Sequence, residues 1–246
     1  MNWRKDVLAA VLLVAAVLPA GAAGGEAVDL ELVLAVDVSR SIDEREFDLQ
    51  RRGYVHALTH PNVIAAIRAT QSGRIAVSFV EWSGADFQKV VVPWMAVSDA
   101  ASARSFADSL LVEPRSFWGW TSISGAIDFS SRLFGTVYEG RRRVIDVSGD
   151  GVNNSGRPAS AARDDALGRG IAINGLVIMN DPQTGYRGVP QPPLDEFYRE
   201  NVIGGPGAFV IAVDDFESFA YALVNKLVKE IAGLPTDPAL RLALAK

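Results

Sequence analysis

The chain has 246 residues, 49% of them hydrophobic and 22% charged, with a formal net charge of -5. That is enough apolar material to bury a core without covalent staples, and the acidic balance argues against nucleic acid or an anionic lipid surface as the main partner. There is no cysteine, which excludes disulfides, thiolate zinc sites, a cysteine nucleophile and a lipidated cysteine anchor.

The first segment reads as separate from the fold. Arg4 and Lys5 precede an apolar run over 7–18, followed by small residues over 20–25. This is the layout of a secretory signal peptide, and Ala20-Gly21-Ala22 fits a cleavage site after Ala22. Residues 1–22 are therefore expected to direct export, leaving a periplasmic or secreted protein. The apolar run is shorter than the ~20 residues a spanning helix needs, so no stable membrane anchor is expected after cleavage.

From there strands and helices alternate. Residues 30–36 form an almost continuous apolar run ending in Asp37, as expected of a strand buried on both faces. Residues 43–58 read as a helix with a polar start. Residues 74–82 and 88–94 read as strands joined by a short Gly84-Ala85-Asp86 link, which implies a hairpin and one antiparallel strand. A helix over 98–111 has Ser98 or Asp99 as its N-cap. Another spans 122–134. A strand over 143–147 runs into the Ser148-Gly149-Asp150-Gly151 turn, and a helix over 159–169 is closed by Gly170. A strand over 171–179, a short helix over 194–201, a strand over 208–213 and a helix over 216–232 complete the pattern. The longest irregular stretch, 180–193, is rich in Pro and Gly, as functional loops of that length often are. Residues 233–246 read as a tail, with scope for a helical turn over 238–245. The alternation predicts an α/β fold, a mostly parallel sheet with helices on both faces.

Ligands of open α/β sheets bind beyond the carboxyl ends of the strands, where strand order reverses. Three segments offer polar residues there: Asp37-Val38-Ser39-Arg40-Ser41, Gly119-Trp120-Thr121 and Ser148-Gly149-Asp150-Gly151. Together they supply two carboxylates and three hydroxyls, an all-oxygen set suited to a hard divalent cation such as Mg²⁺, with Mn²⁺ as a substitute.

Asp37-x-Ser39-x-Ser41, then Thr121, then Asp150-Gly151, in that order and on those elements, resembles the metal-ion-dependent adhesion site of von Willebrand factor type A (VWA) domains. The resemblance covers 28–232. It implies a Rossmann-like three-layer sandwich, with six strands of which one antiparallel strand lies at an edge. It also implies that Ser39, Ser41 and Thr121 contact the metal through hydroxyls, that Asp37 and Asp150 hold it directly or through water, and that a partner's Asp or Glu completes the coordination. Mostly neutral ligands would leave the cation electrophilic, so an incoming carboxylate gains Coulomb energy. One departure stands out. Many family members have glycine before the threonine, whereas here Trp120 occupies that position with Trp118 close by, which narrows the rim.

Other readings compete residue by residue. Asp37, Ser39 and Ser41 suit an N-cap cluster for the following helix, and Asp150-Gly151 suits an ordinary turn. Trp118 and Trp120 fit either partner contacts or loop packing. Asp146, a carboxylate inside a central strand, needs a partner; Arg141, Arg142 or Arg143 is the expected one, with support of the site as the other role. His56 and His60 are four apart but lack the glutamate of a zinc-protease helix and any third ligand, so they read as surface or structural. Gly204-Gly205-Pro206-Gly207 has no lysine and reads as a turn. The expected function is metal-dependent capture of a protein partner through an acidic residue, not enzymatic turnover. A metal-dependent phosphohydrolase would need a second carboxylate where Ser39 stands, and a hydroxyl is no general acid near neutral pH. A serine hydrolase lacks the G-x-S-x-G elbow. A structural or assembly subunit with a vestigial site is the remaining alternative.

Overall fold

The computed structural model describes residues 25–179 and 192–233. The expected signal peptide at 1–22, the loop over 180–191 and the tail from 234 onward, with its suggested helical turn at 238–245, lie outside the described residues. Among the described residues no helix is long and apolar enough to cross a membrane.

The elements run β1 (Glu26–Asp37), α1 (Glu44–Leu58), α2 (Pro61–Arg68), β2 (Ile75–Trp82), β3 (Gln88–Val97), α3 (Ala100–Val112), α4 (Ile123–Ser131) and β4 (Tyr138–Gly149). They continue with α5 (Ala159–Gly168), β5 (Ile171–Ile178), α6 (Leu194–Asn201), β6 (Val210–Val213) and α7 (Phe216–Ala232). The six strands form one sheet in the order β3-β2-β1-β4-β5-β6. Every neighbouring pair is parallel except β2–β3. The short link after Trp82 does make a hairpin, and β3 is the antiparallel edge strand.

Each central strand feeds two cores. On β1, Leu30, Leu32, Leu34 and Val36 pack with Phe47 and Tyr54 of α1, Val63 of α2, Phe106 of α3 and Phe219 of α7. Val33 and Ala35 point the other way, with Ile123 and Ala126 of α4, Ala159 of α5 and Tyr198 of α6. Both faces are apolar, so the strand loses the polar alternation of a half-exposed sheet. The result is the expected three-layer α/β sandwich.

Several boundaries differ from expectation. Helix α2 was not anticipated: His60 is its N-cap, its Nδ1 accepting from the Asn62 amide, with Pro61 in the first turn. This is a structural role for His60. Strand β4 begins at Tyr138, so Arg141–Arg143 lie within the strand. Arg143 pairs with buried Glu31 at 3.2 Å. Arg142 donates to the Glu230 and Ile231 carbonyls at 2.9 and 2.7 Å, satisfying carbonyls that the end of α7 leaves open. Helix α4 ends at Ser131, three residues before the expected Phe134.

Asp146 is buried, but its partner is none of the three arginines. It lies 2.5 Å from Nζ of Lys226 on α7, which also pairs with Glu230. All three side chains are fully buried, and Asn174 donates to Glu230 at 3.0 Å. The triad holds two acids and one base. Burial first, and then the Asp146 charge, push Glu230 up to about 7.

Candidate metal centre

Strand order reverses between β1 and β4. β1 leads to β2 on one side, and the later strands extend on the other. Val36 of β1 pairs with Ser148 of β4, so Asp37 and the 149–151 turn leave the sheet side by side at their carboxyl ends.

The structure brings all five expected residues together. The backbone turns back after Asp37 so that the Ser39 amide donates to Asp37 Oδ1 at 2.7 Å. Ser39 Oγ and Ser41 Oγ are 3.2 Å apart, and Ser41 Oγ donates to Asp150 Oδ1 at 2.6 Å. Thr121 Oγ1 donates to Ser39 Oγ at 3.2 Å. Asp37, Ser39, Thr121 and Asp150 are buried, and Ser41 is exposed at the mouth. The helix-cap alternative fails, because Asp43 itself caps α1 in a reciprocal capping box with Glu46. That leaves the Asp37, Ser39 and Ser41 side chains for the cluster with Thr121 and Asp150.

The electrostatics of this cluster are unfavourable without a counter-charge. Burial, and then the Asp150 charge beside it, push the Asp37 carboxyl well above the usual carboxylate range. Asp37 Oδ2 is buried with no hydrogen-bond partner. Two neighbouring acids, three hydroxyls and an unsatisfied carboxylate oxygen form a set that a small hard cation fits. Among the described residues no three His, Cys, Asp or Glu side chains converge as a metal cage; this cluster has only two carboxylates, and its other donors are hydroxyls.

Residues missed by the sequence reading hold the loops in place. The Arg115 guanidinium donates to the Val38, Ser39 and Ile42 carbonyls at 2.7, 2.8 and 2.9 Å and to the Phe117 carbonyl at 3.1 Å. It ties the 37–42 loop to the segment that leads to Thr121, and the Trp118 ring covers it at 3.5 Å. Asn154 Oδ1 accepts from the Thr121 amide at 2.9 Å. Asn153 Oδ1 accepts from the Ser124 amide at 3.0 Å in the first turn of α4. Nothing in local periodicity marks Arg115, Asn153 or Asn154. The surplus of Asn after Asp150-Gly151 was the one available hint.

Trp118 therefore packs on Arg115 while staying largely exposed, and Trp120 is 60% exposed. Trp120 lines a cavity of about 290 Å³ together with Arg40, Ser41, Gly119, Thr121 and Asn154. Its lining combines an arginine and an exposed indole with two of the candidate ligand hydroxyls, Ser41 and Thr121.

The family model described as "Protein of unknown function (DUF1194)" matches residues 27–235. The chain belongs to the DUF1194 family. Solved VWA structures share its fold. The chain is similar to proximal thread matrix protein 1 from the mussel byssus, solved "with zinc occupied MIDAS motif", at TM-score 0.57 and 14% identity over 85% of this chain and 50% of that one. It is similar to von Willebrand factor type A from Catenulispora acidiphila, at TM-score 0.56 and 16% identity over 84% of this chain and 43% of that one. It is also similar to the pilus adhesin SpaC from Lactobacillus rhamnosus GG, at TM-score 0.58 and 16% identity over 85% of this chain and 31% of that one. The chain thus spans about half the length of the mussel protein. A comparison with curated proteins finds no match.

Proposed function

We propose that this DUF1194 protein is a divalent-cation-dependent protein-binding module of the cell envelope or the extracellular space, and not an enzyme. The convergence of Asp37, Ser39, Ser41, Thr121 and Asp150, with Asp37 Oδ2 buried and unpartnered, carries the reading. Those five residues would hold Mg²⁺ or Mn²⁺. When bound, the ion supplies a Lewis-acidic point that a partner's Asp or Glu can complete.

The chain's own residues do the rest. The three hydroxyls contribute donors without charge. The two carboxylates offset a divalent ion, and Arg40 at the mouth leaves the rim favourable to an incoming anion. Trp120 offers the flat apolar surface that interface hot spots favour. The mussel structure with its zinc-occupied motif and the pilus adhesin supply analogy for metal and for adhesion. The export reading rests on the basic start, apolar run and Ala20-Gly21-Ala22 of residues 1–22, with the binding domain over 28–232 and a tail over 233–246.

Calorimetric titration of the mature protein with Mg²⁺ and Mn²⁺, beside an Asp37→Ala/Asp150→Ala variant, tests the site. Binding that vanishes in the variant is expected. Heat of binding absent from both proteins sinks metal-dependent capture and leaves a structural subunit as the better reading.

A further inference from the structure

Helix α6 brings Tyr198 to the underside of the cluster, into a slot made by two missing side chains. A Cβ on Gly175 would come within 2.9 Å of Tyr198 Cδ1. A Cβ on Gly149 would come within 2.9 Å of the Tyr198 hydroxyl and 3.0 Å of Asp37 Oδ2. Gly149 and Gly175 sit on the same face of adjacent strands, offset by two positions in register. Glycine at both positions leaves room for the ring and lets its hydroxyl come close to Asp37 at the carboxyl end of β1.

Tyr198 is fully buried, in an apolar cluster with Ile123, Ile173 and Val177. Its hydroxyl has no hydrogen-bond partner, and the same holds for Asp37 Oδ2. Each such orphan costs about 1–3 kcal/mol. Phenylalanine would fill the slot equally well for packing, so packing does not explain the hydroxyl. The two orphans flank one glycine, one a donor and the other an acceptor on a candidate metal ligand.

We propose that Tyr198 is a positioning residue of the metal centre. Its hydroxyl donates to Asp37 Oδ2 when a cation draws that carboxylate into its working orientation. Outer hydrogen bonds of this kind fix a ligand's direction and set metal affinity. Oδ1 is already held by the Ser39 amide, so Tyr198 serves the opposite edge of the carboxylate. The inference rests on the metal-binding reading above.

The test is Tyr198→Phe, with two readouts that move in opposite directions. Thermal unfolding of the metal-free protein should be unchanged or slightly higher in the variant, because a buried unsatisfied hydroxyl is gone. Calorimetric titration with Mg²⁺ and with Mn²⁺ should show affinity about 10-fold weaker than wild type, at the low end of measured outer-sphere losses. Equal affinity in the two proteins overturns the role of Tyr198 while leaving the metal site standing. A variant clearly less stable without metal overturns it as well, since the hydroxyl then supports the fold regardless of the cation. Absence of binding in the wild type overturns both this inference and the metal-binding reading.

Discussion

Replacing Arg115 should loosen the site more than any single ligand loss would loosen the fold. Its guanidinium makes four hydrogen bonds to backbone carbonyls on two loops and stacks under Trp118. Hydrogen bonds from a charged donor contribute about 1.5–3 kcal/mol each, but the side chain is only half-buried and burial lowers its own pKa, so much of that sum is returned as hydration. The stacking adds about 0.5–1 kcal/mol. A net loss of about 2–4 kcal/mol is expected for Arg115→Ala. At about 2–4 °C per kcal/mol for a domain of this size, Tm should fall by about 4–16 °C. Arg115→Lys keeps the charge but not the planar fork that reaches three carbonyls of one loop at once, so it should recover only part of the loss. Urea unfolding of wild type, Arg115→Ala, Trp118→Ala and the double variant gives a thermodynamic cycle. It should show coupling of about 0.5–1 kcal/mol between the two side chains. A loss below about 0.5 kcal/mol for Arg115→Ala, within the usual range of surface substitutions, would refute the clasp. So would zero coupling to Trp118.

Two further outcomes follow from the buried polar groups. Glu230 carries a raised pKa of about 7, so the folded state keeps a proton that the unfolded chain loses above its ordinary value of 4.5. Its contribution to stability is therefore greatest below pH 4.5 and is lost as pH rises to about 7. Glu230→Gln should be more stable than wild type at pH 8, by about 1–3 kcal/mol, with the gap closing toward pH 5 in parallel chemical-denaturation series; a gap independent of pH would refute the assignment. Gly149→Ala places a methyl against both the Tyr198 hydroxyl and Asp37 Oδ2, and should cost about 1–3 kcal/mol as overpacking. Adding Tyr198→Phe should restore part of that loss in thermal unfolding, because the closest contact is removed; additivity of the two changes would show that the slot is not where the methyl lands.

Much of the architecture was legible in the sequence because it is written in local pattern. Continuous apolar runs such as 30–36 and 171–179 mark strands buried on both faces, and the two-sided core explains why polar alternation is missing. The brief link after Trp82 suited a hairpin, and β3 is antiparallel to β2. The Asp37-x-Ser39-x-Ser41 loop was readable because one strand end supplies three oxygens within five residues, and the Thr121 and Asp150 loops lie beside it. Helix α2 escaped because its cap is a histidine rather than Ser or Asp and it is only eight residues long, so 61–68 was assigned no element. Asp146 announced that it needed a partner but could not name Lys226, eighty positions away.

The chain by itself therefore determined the alternation of elements, the mostly parallel sheet and the oxygen donors at its carboxyl edge, all of which depend on neighbours in sequence. Only the tertiary structure decided which distant groups surround those donors: Arg115 clasping the first loop, Asn154 holding Thr121, and Tyr198 set against Gly149 and Gly175 near Asp37. Hydrogen bonds between segments have no periodicity, and a lone arginine, asparagine or tyrosine has the same local signature on the surface as beneath a site. The roles of Arg115 and Asn154 arise when folding brings them to 2.7–2.9 Å from backbone groups of other segments, the range in which a hydrogen bond can form.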